Sequence, residues 1–189
     1  MTVAWRVRHH ASLLANRNAL RRWSPSSDMS TIRVVWGSAS APTAMASYDA
    51  ALAEAGVENY NLVSVSSVIP AETQVEAVGT APDLGPAGER VTVVEARATT
   101  AEPGRVSAAL AWAQSVDDGP GLFYETAGEM DREDVERRVR EGLAAGQDLR
   151  DWEFADPRAA VESRQTESGT HTTAVVLAVY GDSEPILSD

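Results

Sequence analysis

Two residue types are missing altogether: the 189-residue chain has no cysteine and no lysine. Without cysteine there is no disulfide, no thiolate nucleophile and no thiolate-held metal, and a reducing, cytoplasmic setting is the expectation. All 16 basic residues are arginine, so no lysine amine can form a Schiff base or anchor pyridoxal phosphate. If this protein performs amine–carbonyl chemistry, the carbonyl must be its own. Long apolar runs are lacking too. The longest candidate is 174–180, far short of the roughly 18 residues needed to cross a bilayer, and a soluble protein with no membrane partner is expected. There is no phosphate-binding glycine loop, nucleophile elbow, histidine pair at metal spacing or zinc cluster, so no metal is expected.

Positive charge is scarce. The net charge is −12, and residues 1–28 hold Arg6, Arg8, Arg17, Arg21 and Arg22 against Asp28 alone. Residues 29–189 therefore carry 11 arginines against 27 acids, a balance of −16. Such a surface disfavours nucleic acid and anionic membranes. It resembles the proteins of salt-loving cytoplasms, where screening removes the self-repulsion that loosens a fold; acidic composition from a GC-rich genome is the alternative. The basic stretch lacks the apolar core of a secretion signal. Residues 1–28 are read as an over-extended start or a disordered tail, and residues 29–189 as one domain. His9 and His10 have no acidic or cysteine partner nearby and are not expected to bind metal.

Thr31 to Trp36 reads as a strand ended by Gly37, followed by a small-residue loop to Pro42. A helix is expected from a Thr43 cap to Ala55, with Met45, Tyr48, Leu52 and Ala55 inward and Gly56 as its stop. Asp49 falls on that stripe, where a carboxylate needs a partner unless it sits at a solvated margin. Residues 71–89 read as loop and Arg90 to Arg97 as a strand. Val106, Ala109, Leu110 and Ala113 predict a helix to about Gln114. Leu122 to Glu125 is a short strand, and Asp131 to Gly146 is the strongest helix, with Val135, Val139 and Leu143 inward. Trp152 and Phe154 mark a strand, as do residues 172–180, where His171 serves packing or capping. Strands interleaved with about three helices define an α+β protein, a sandwich or layered sheet.

Asn61-Leu62-Val63-Ser64-Val65-Ser66-Ser67-Val68-Ile69-Pro70 reads as one strand of period two, placing Ser67 on a face with Val63, Val65 and Ile69. On pattern alone it is a strand whose serines bond to neighbouring backbone. The same stretch resembles the cleavage motif of the pyruvoyl-dependent arginine decarboxylases. Asp49-Ala50-Ala51-Leu52 with Ala55-Gly56, Gly121-Leu122-Phe123-Tyr124-Glu125, Val139-Arg140-Glu141 and Trp152-Glu153 continue the resemblance in register from about 31 to 180.

The resemblance implies an α+β layered sandwich of αββα type, self-cleaved between Ser66 and Ser67 into an N-terminal β chain and a C-terminal α chain. Ser67 Oγ would attack the Ser66 carbonyl and residue 67 would become a covalent pyruvoyl cofactor, with Asn61 donating its amide to the oxyanion. The pyruvoyl group would form a Schiff base with L-arginine and release carbon dioxide and agmatine. Glu125 would be the general acid, kept protonated by an apolar strand end, and Asp49 would bind the substrate guanidinium. A homo-oligomer of αβ protomers, a trimer or dimer of trimers with active sites between protomers, is implied. Glu95, Arg97 and the acidic, lysine-free surface depart from the family pattern. The alternatives are a pyruvoyl decarboxylase of another amino acid, or an unprocessed homologue acting as a binding subunit.

Overall fold

A strand buried without interruption must be covered on both faces, and every residue from Thr172 to Val179 is buried. The cover comes from two helices and a second sheet. The computed structural model describes residues 30–166 and 168–187, and the basic leader with its His9-His10 pair lies outside them. The elements are β1 (Ser30–Ala41), α1 (Ala44–Ala55), β2 (Asn61–Ser64), β3 (Val68–Ile69), β4 (Thr73–Gly79), β5 (Arg90–Thr100), β6 (Arg105–Gln114), β7 (Gly121–Glu129), α2 (Arg132–Gln147), β8 (Arg158–Gln165) and β9 (His171–Glu184). One sheet is ordered β2-β5-β9-β1-β4 and the other β3-β7-β6-β8.

Alternation along β9 sorts the layers. Ala174, Val176 and Ala178 join Val34, Val94, Leu110, Trp112 and Phe123 in the core between the sheets. Val175, Leu177 and Val179 face the other way and pack with Leu52, Ala55 and Val57 beneath α1. On the far side Ala109, Ala111 and Ala113 of β6 meet Val135, Val139 and Leu143 of α2. The layers run α1, sheet, sheet, α2, which is the αββα order of an α+β sandwich.

The helix ends follow local chemistry. Thr43 has extended dihedrals and its side chain accepts from the Ala46 N–H, while Gly56 closes α1 in the left-handed region at φ 78°, where a Cβ would be strained. In α2 the buried stripe is Val135, Val139, Leu143 and Gly146. Each buried aliphatic side chain there contributes roughly 1.5–3 kcal/mol. The surface pair Arg140–Glu136 contributes only about 0.3–0.5 kcal/mol, so the stripe holds the helix.

Several expectations give way to tertiary packing. Residues 106–114, expected as a helix, are the strand β6, buried from Val106 to Ala113. Their alanines have high helix propensity, but burial on both faces erases the period-two signal and the sheet overrides propensity. The number of helices among the described residues is therefore two rather than three. Within the expected loop 71–89, β4 pairs in parallel with β1; it is an edge strand in which only Thr73 and Val75 are buried, so its pattern is faint. Trp152 and Phe154 form no strand beyond an isolated bridge from Ser115 to Phe154, and their rings, 5.8 Å apart, pack against the α2 core. Residues 158–165, where no strand was expected, form β8.

β1 also continues past Gly37 to Ala41, because that glycine serves close packing rather than a turn. A Cβ there would run into the Ala51 carbonyl of α1 and stand 2.8 Å from Glu54 Cβ and 3.1 Å from Ala55 N. Gly37→Ala should therefore push α1 off the sheet and destabilise the protein by about 1–3 kcal/mol; urea unfolding that shows no loss would refute this close packing.

Candidate active site

The stretch from Asn61 to Pro70 is not one strand. Asn61 to Ser64 pair in parallel with Arg90 to Val93 of β5, and the Val65 N–H extends the ladder to the Val93 carbonyl at 3.0 Å. Val68 and Ile69 instead pair antiparallel with Leu122 and Gly121 of β7 in the other sheet, and the Ser67 carbonyl accepts from the Phe123 N–H at 2.8 Å. The chain changes sheets at Ser66. A three-residue turn makes the crossing, with the Val68 N–H donating to the Ser66 carbonyl at 2.9 Å.

That turn places a nucleophile beside a carboxylate. Ser67 Oγ donates to Glu125 Oε2 at 2.8 Å, and the carbonyl preceding Ser67 is polarised by the Val68 N–H. Glu125 follows Phe123 and Tyr124 on β7, opposite Leu110 of β6. Both serines and Glu125 line a cleft of about 380 Å³ with Tyr124 and Arg150. Glu125 itself is exposed, which corrects the expectation of an apolar enclosure: β3 runs antiparallel to β7 and begins only at Val68, opposite Leu122, so no paired strand covers the edge of β7 at Glu125.

Two expected residues stand elsewhere. The side chain of Asn61 donates to the Gly88 carbonyl at 2.6 Å, and Asn61 begins a strand whose rise of about 3.3 Å per residue separates it from Ser66. Asp49 is exposed on α1 and does not line the cleft. The inward face of α1 is Ser47, Ala51, Leu52 and Ala55, while Met45, expected inward, is 72% exposed.

Tyr180 and Arg150 belong to none of the sequence motifs above. Tyr180 Oη donates to the Val68 carbonyl at 3.0 Å, and its ring meets Phe123 edge-on at 6.3 Å. It fixes the first residue of β3 from the opposite sheet. A tyrosine in phase with Val176 and Ala178 at the inward face of a strand end was the available signal, since such a hydroxyl needs a partner. Burial, with the nearby Glu125 carboxylate second, pushes Tyr180 up to about 12 from 10.0. Burial and then the hydrogen bond to Glu95, at 2.7 Å, push Tyr48 up to about 12 as well. Glu95, Tyr48 and Arg97 form one cluster, with the Arg97 guanidinium 4.2 Å from the Tyr48 ring centre.

Among the described residues no group of three or more His, Asp or Glu is placed to hold a metal, and no helix is long and apolar enough to cross a membrane. What the cleft assembles is a hydroxyl hydrogen-bonded to a carboxylate and adjoining a polarised peptide carbonyl, an arrangement suited to acyl transfer within the chain.

Comparisons with known proteins cover nearly the whole described chain. Residues 31–185 match the family described as pyruvoyl-dependent arginine decarboxylase. A protein of that name from Halobacterium salinarum is 57% identical over 158 residues, covering 84% of this chain and 98% of the relative. One from Pyrococcus abyssi is 36% identical over 141 residues, covering 73% and 88%; one from Methanocaldococcus jannaschii is 32% identical over 126 residues, covering 66% and 74%. The chain belongs to the pyruvoyl-dependent arginine decarboxylase family, lyases that work through a covalently bound pyruvoyl group.

The two shifted tyrosines give a pH prediction. A phenol whose folded pKa exceeds its unfolded one supports the fold fully below the unfolded value, and that support is lost as pH rises toward the folded value. Absorbance titration should find Tyr48 and Tyr180 ionising near 12 rather than near 10, with stability falling across that interval. Tyr180→Phe should remove one late transition; an unchanged titration would sink the assignment.

Proposed function

We propose that this chain cuts itself between Ser66 and Ser67 and then decarboxylates L-arginine to agmatine. The observation that carries the reading is the Ser67–Glu125 hydrogen bond at 2.8 Å beside a scissile carbonyl held by the Val68 N–H at 2.9 Å, in a chain of this family. Ser67 Oγ attacks the Ser66 carbonyl carbon and the peptide nitrogen leaves, giving an ester. Elimination then removes the Cα proton of residue 67 and breaks its Cβ–Oγ bond, so Oγ departs with Ser66 as a carboxylate. The dehydroalanine left at 67 takes up water and loses ammonia, which yields the pyruvoyl group.

The residues fit that group. The Ser67 carbonyl is fixed by the Phe123 N–H, and the Val68 carbonyl by Tyr180, so the new chain start stays in the cleft after cleavage. When formed, the group supplies an electron sink for the bond to the departing carboxylate. Glu125 stands over residue 67 and delivers the proton to the substrate's former α-carbon. Asp49 receives the guanidinium as a fork-shaped pair.

Asp49 and Asn61 lie outside the Ser67 cleft of their own chain, and a neighbouring copy brings them to it. The edge beside the cleft supports this reading: Val63, Val65 and Val68 are 41%, 41% and 44% exposed, an apolar border on short edge strands that an isolated chain would leave wet. Burial by that copy also supplies the desolvation that Glu125 lacks in one chain. A trimer, or two trimers together, and a cytoplasmic location complete the proposal.

Mass analysis of the purified protein should find two fragments, the second beginning with a pyruvoyl-blocked residue 67; an intact chain would end the proposal. Ser67→Ala should abolish cleavage. Glu125→Gln should still cleave, because the amide oxygen can accept from Ser67, yet decarboxylate at least about 100-fold more slowly. Coexpressing Glu125→Gln with Asp49→Asn should restore part of the activity if sites are shared between copies; no restoration would refute the shared site. Arginine should outpace ornithine, lysine and aspartate in carbon dioxide release.

The acid excess supports a further expectation. The surface ion pairs Arg33–Asp182, Arg90–Glu184, Arg105–Asp131 and those along α2 each have an exposed partner and contribute little each, so they relieve little of the repulsion within the −16 body in dilute buffer. The melting temperature should rise with added salt, and a salt-independent melt would count against a salt-adapted surface.

A further inference from the structure

We infer that Arg150 is the carboxylate-binding residue of the Ser67 cleft. It is the cation that lines the cleft alongside Ser66, Ser67 and Glu125, and among the described residues no acid pairs with it. One arm of its guanidinium is fixed, with Nη1 donating to the Gly146 carbonyl at 2.6 Å at the end of α2. Its plane lies by the Trp152 ring at 5.6 Å, within cation–π range. Gly146 is itself positioned, since a side chain there would collide with the Tyr124 ring. The cation is therefore oriented before any ligand arrives, with Nε and Nη2 free to meet two oxygens as a fork.

Two carboxylates can occupy this place, and the inference rests on the self-processing reading in either case. One is the α-carboxylate that elimination leaves on Ser66, a negative charge created inside the same cleft as Glu125. The other is the α-carboxylate of the substrate. The chain end is the better fit. Gripping the carboxylate that must leave would stabilise the ground state and slow its loss, whereas pairing the Ser66 end draws a like charge away from Glu125 and the reacting centre.

The test uses purified wild type, Arg150→Met and Arg150→Lys, each first checked by mass spectrometry for cleavage. Steady-state KM for arginine, the inhibition constant of agmatine, which has no carboxylate, and trimming of Ser66 by a carboxypeptidase are then compared. If Arg150 holds the chain end, Arg150→Met should lose Ser66 about ten- to a hundredfold faster to the carboxypeptidase. The KM and the agmatine constant should then move together, and Arg150→Lys should restore part of the protection. If it holds the substrate, KM should rise about ten- to a hundredfold while the agmatine constant stays put, which also supports a carboxylate role. A cleaved, active wild type whose Arg150→Met variant matches it in all three measurements overturns the assignment alone. An uncut wild type overturns it together with the self-processing reading.

Discussion

The site depends on one residue having to reach from one sheet to another. The first sheet fastens Val65 through the Val93 carbonyl, the second fastens the Ser67 carbonyl through the Phe123 N–H, and Ser66 alone bridges them. Neither ladder can include the Ser66–Ser67 peptide, so its carbonyl turns to the Val68 N–H. A peptide inside a ladder would have its N–H and its C=O both hydrogen-bonded to neighbouring strands; this one stands outside both ladders, with a hydroxyl and a carboxylate beside it. The packing of the sheets sets that geometry, with Phe123 and Ile69 buried between them and Tyr180 crossing from the first sheet to tie down Val68.

How far the sequence revealed this depended on how local each signal was. The two helices were legible because their caps and stripes are set within a few residues: Thr43 and Gly56 bound α1, and Val135, Val139 and Leu143 mark the inner face of α2. β9 was legible from its apolar alternation. β6 was not, because small side chains filling both faces of a strand resemble the small side chains of a packed helix, and only the third dimension separates them. Gly37 misled for a related reason, since a glycine that ends a strand and one that admits a helix look alike in one dimension.

The site divides in the same way. Ser66, Ser67 and Glu125 were singled out from motifs, and the fold brings the two partners together across 58 positions of chain. The break between β2 and β3 was invisible, because Val63, Val65 and Ile69 keep an alternation that is correct within each piece while the sheet changes between them. Tyr180 and Arg150 belong to no motif. Their meaning comes from Val68 and Gly146, whose carbonyls they hold, and those contacts exist only after folding. Asp49 and Asn61 enter by resemblance alone, and neither lines the cleft of its own chain.

The strand order of the larger sheet has a consequence for a molecule severed at Ser66–Ser67. Among the described residues, those before the cut form β1, α1 and β2, and β1 lies between β9 and β4, both of which come after it. The short fragment would be clasped as an interior strand of a sheet built by the long one, while the smaller sheet would belong wholly to the long fragment. Folding of the intact chain is a one-body process, but reassembly after unfolding would be a two-body encounter in which the short piece must find a slot that its partner cannot keep open alone. Maturation would thus act as a ratchet, turning a reversible fold into one assembled once, with its persistence governed by how slowly it comes apart.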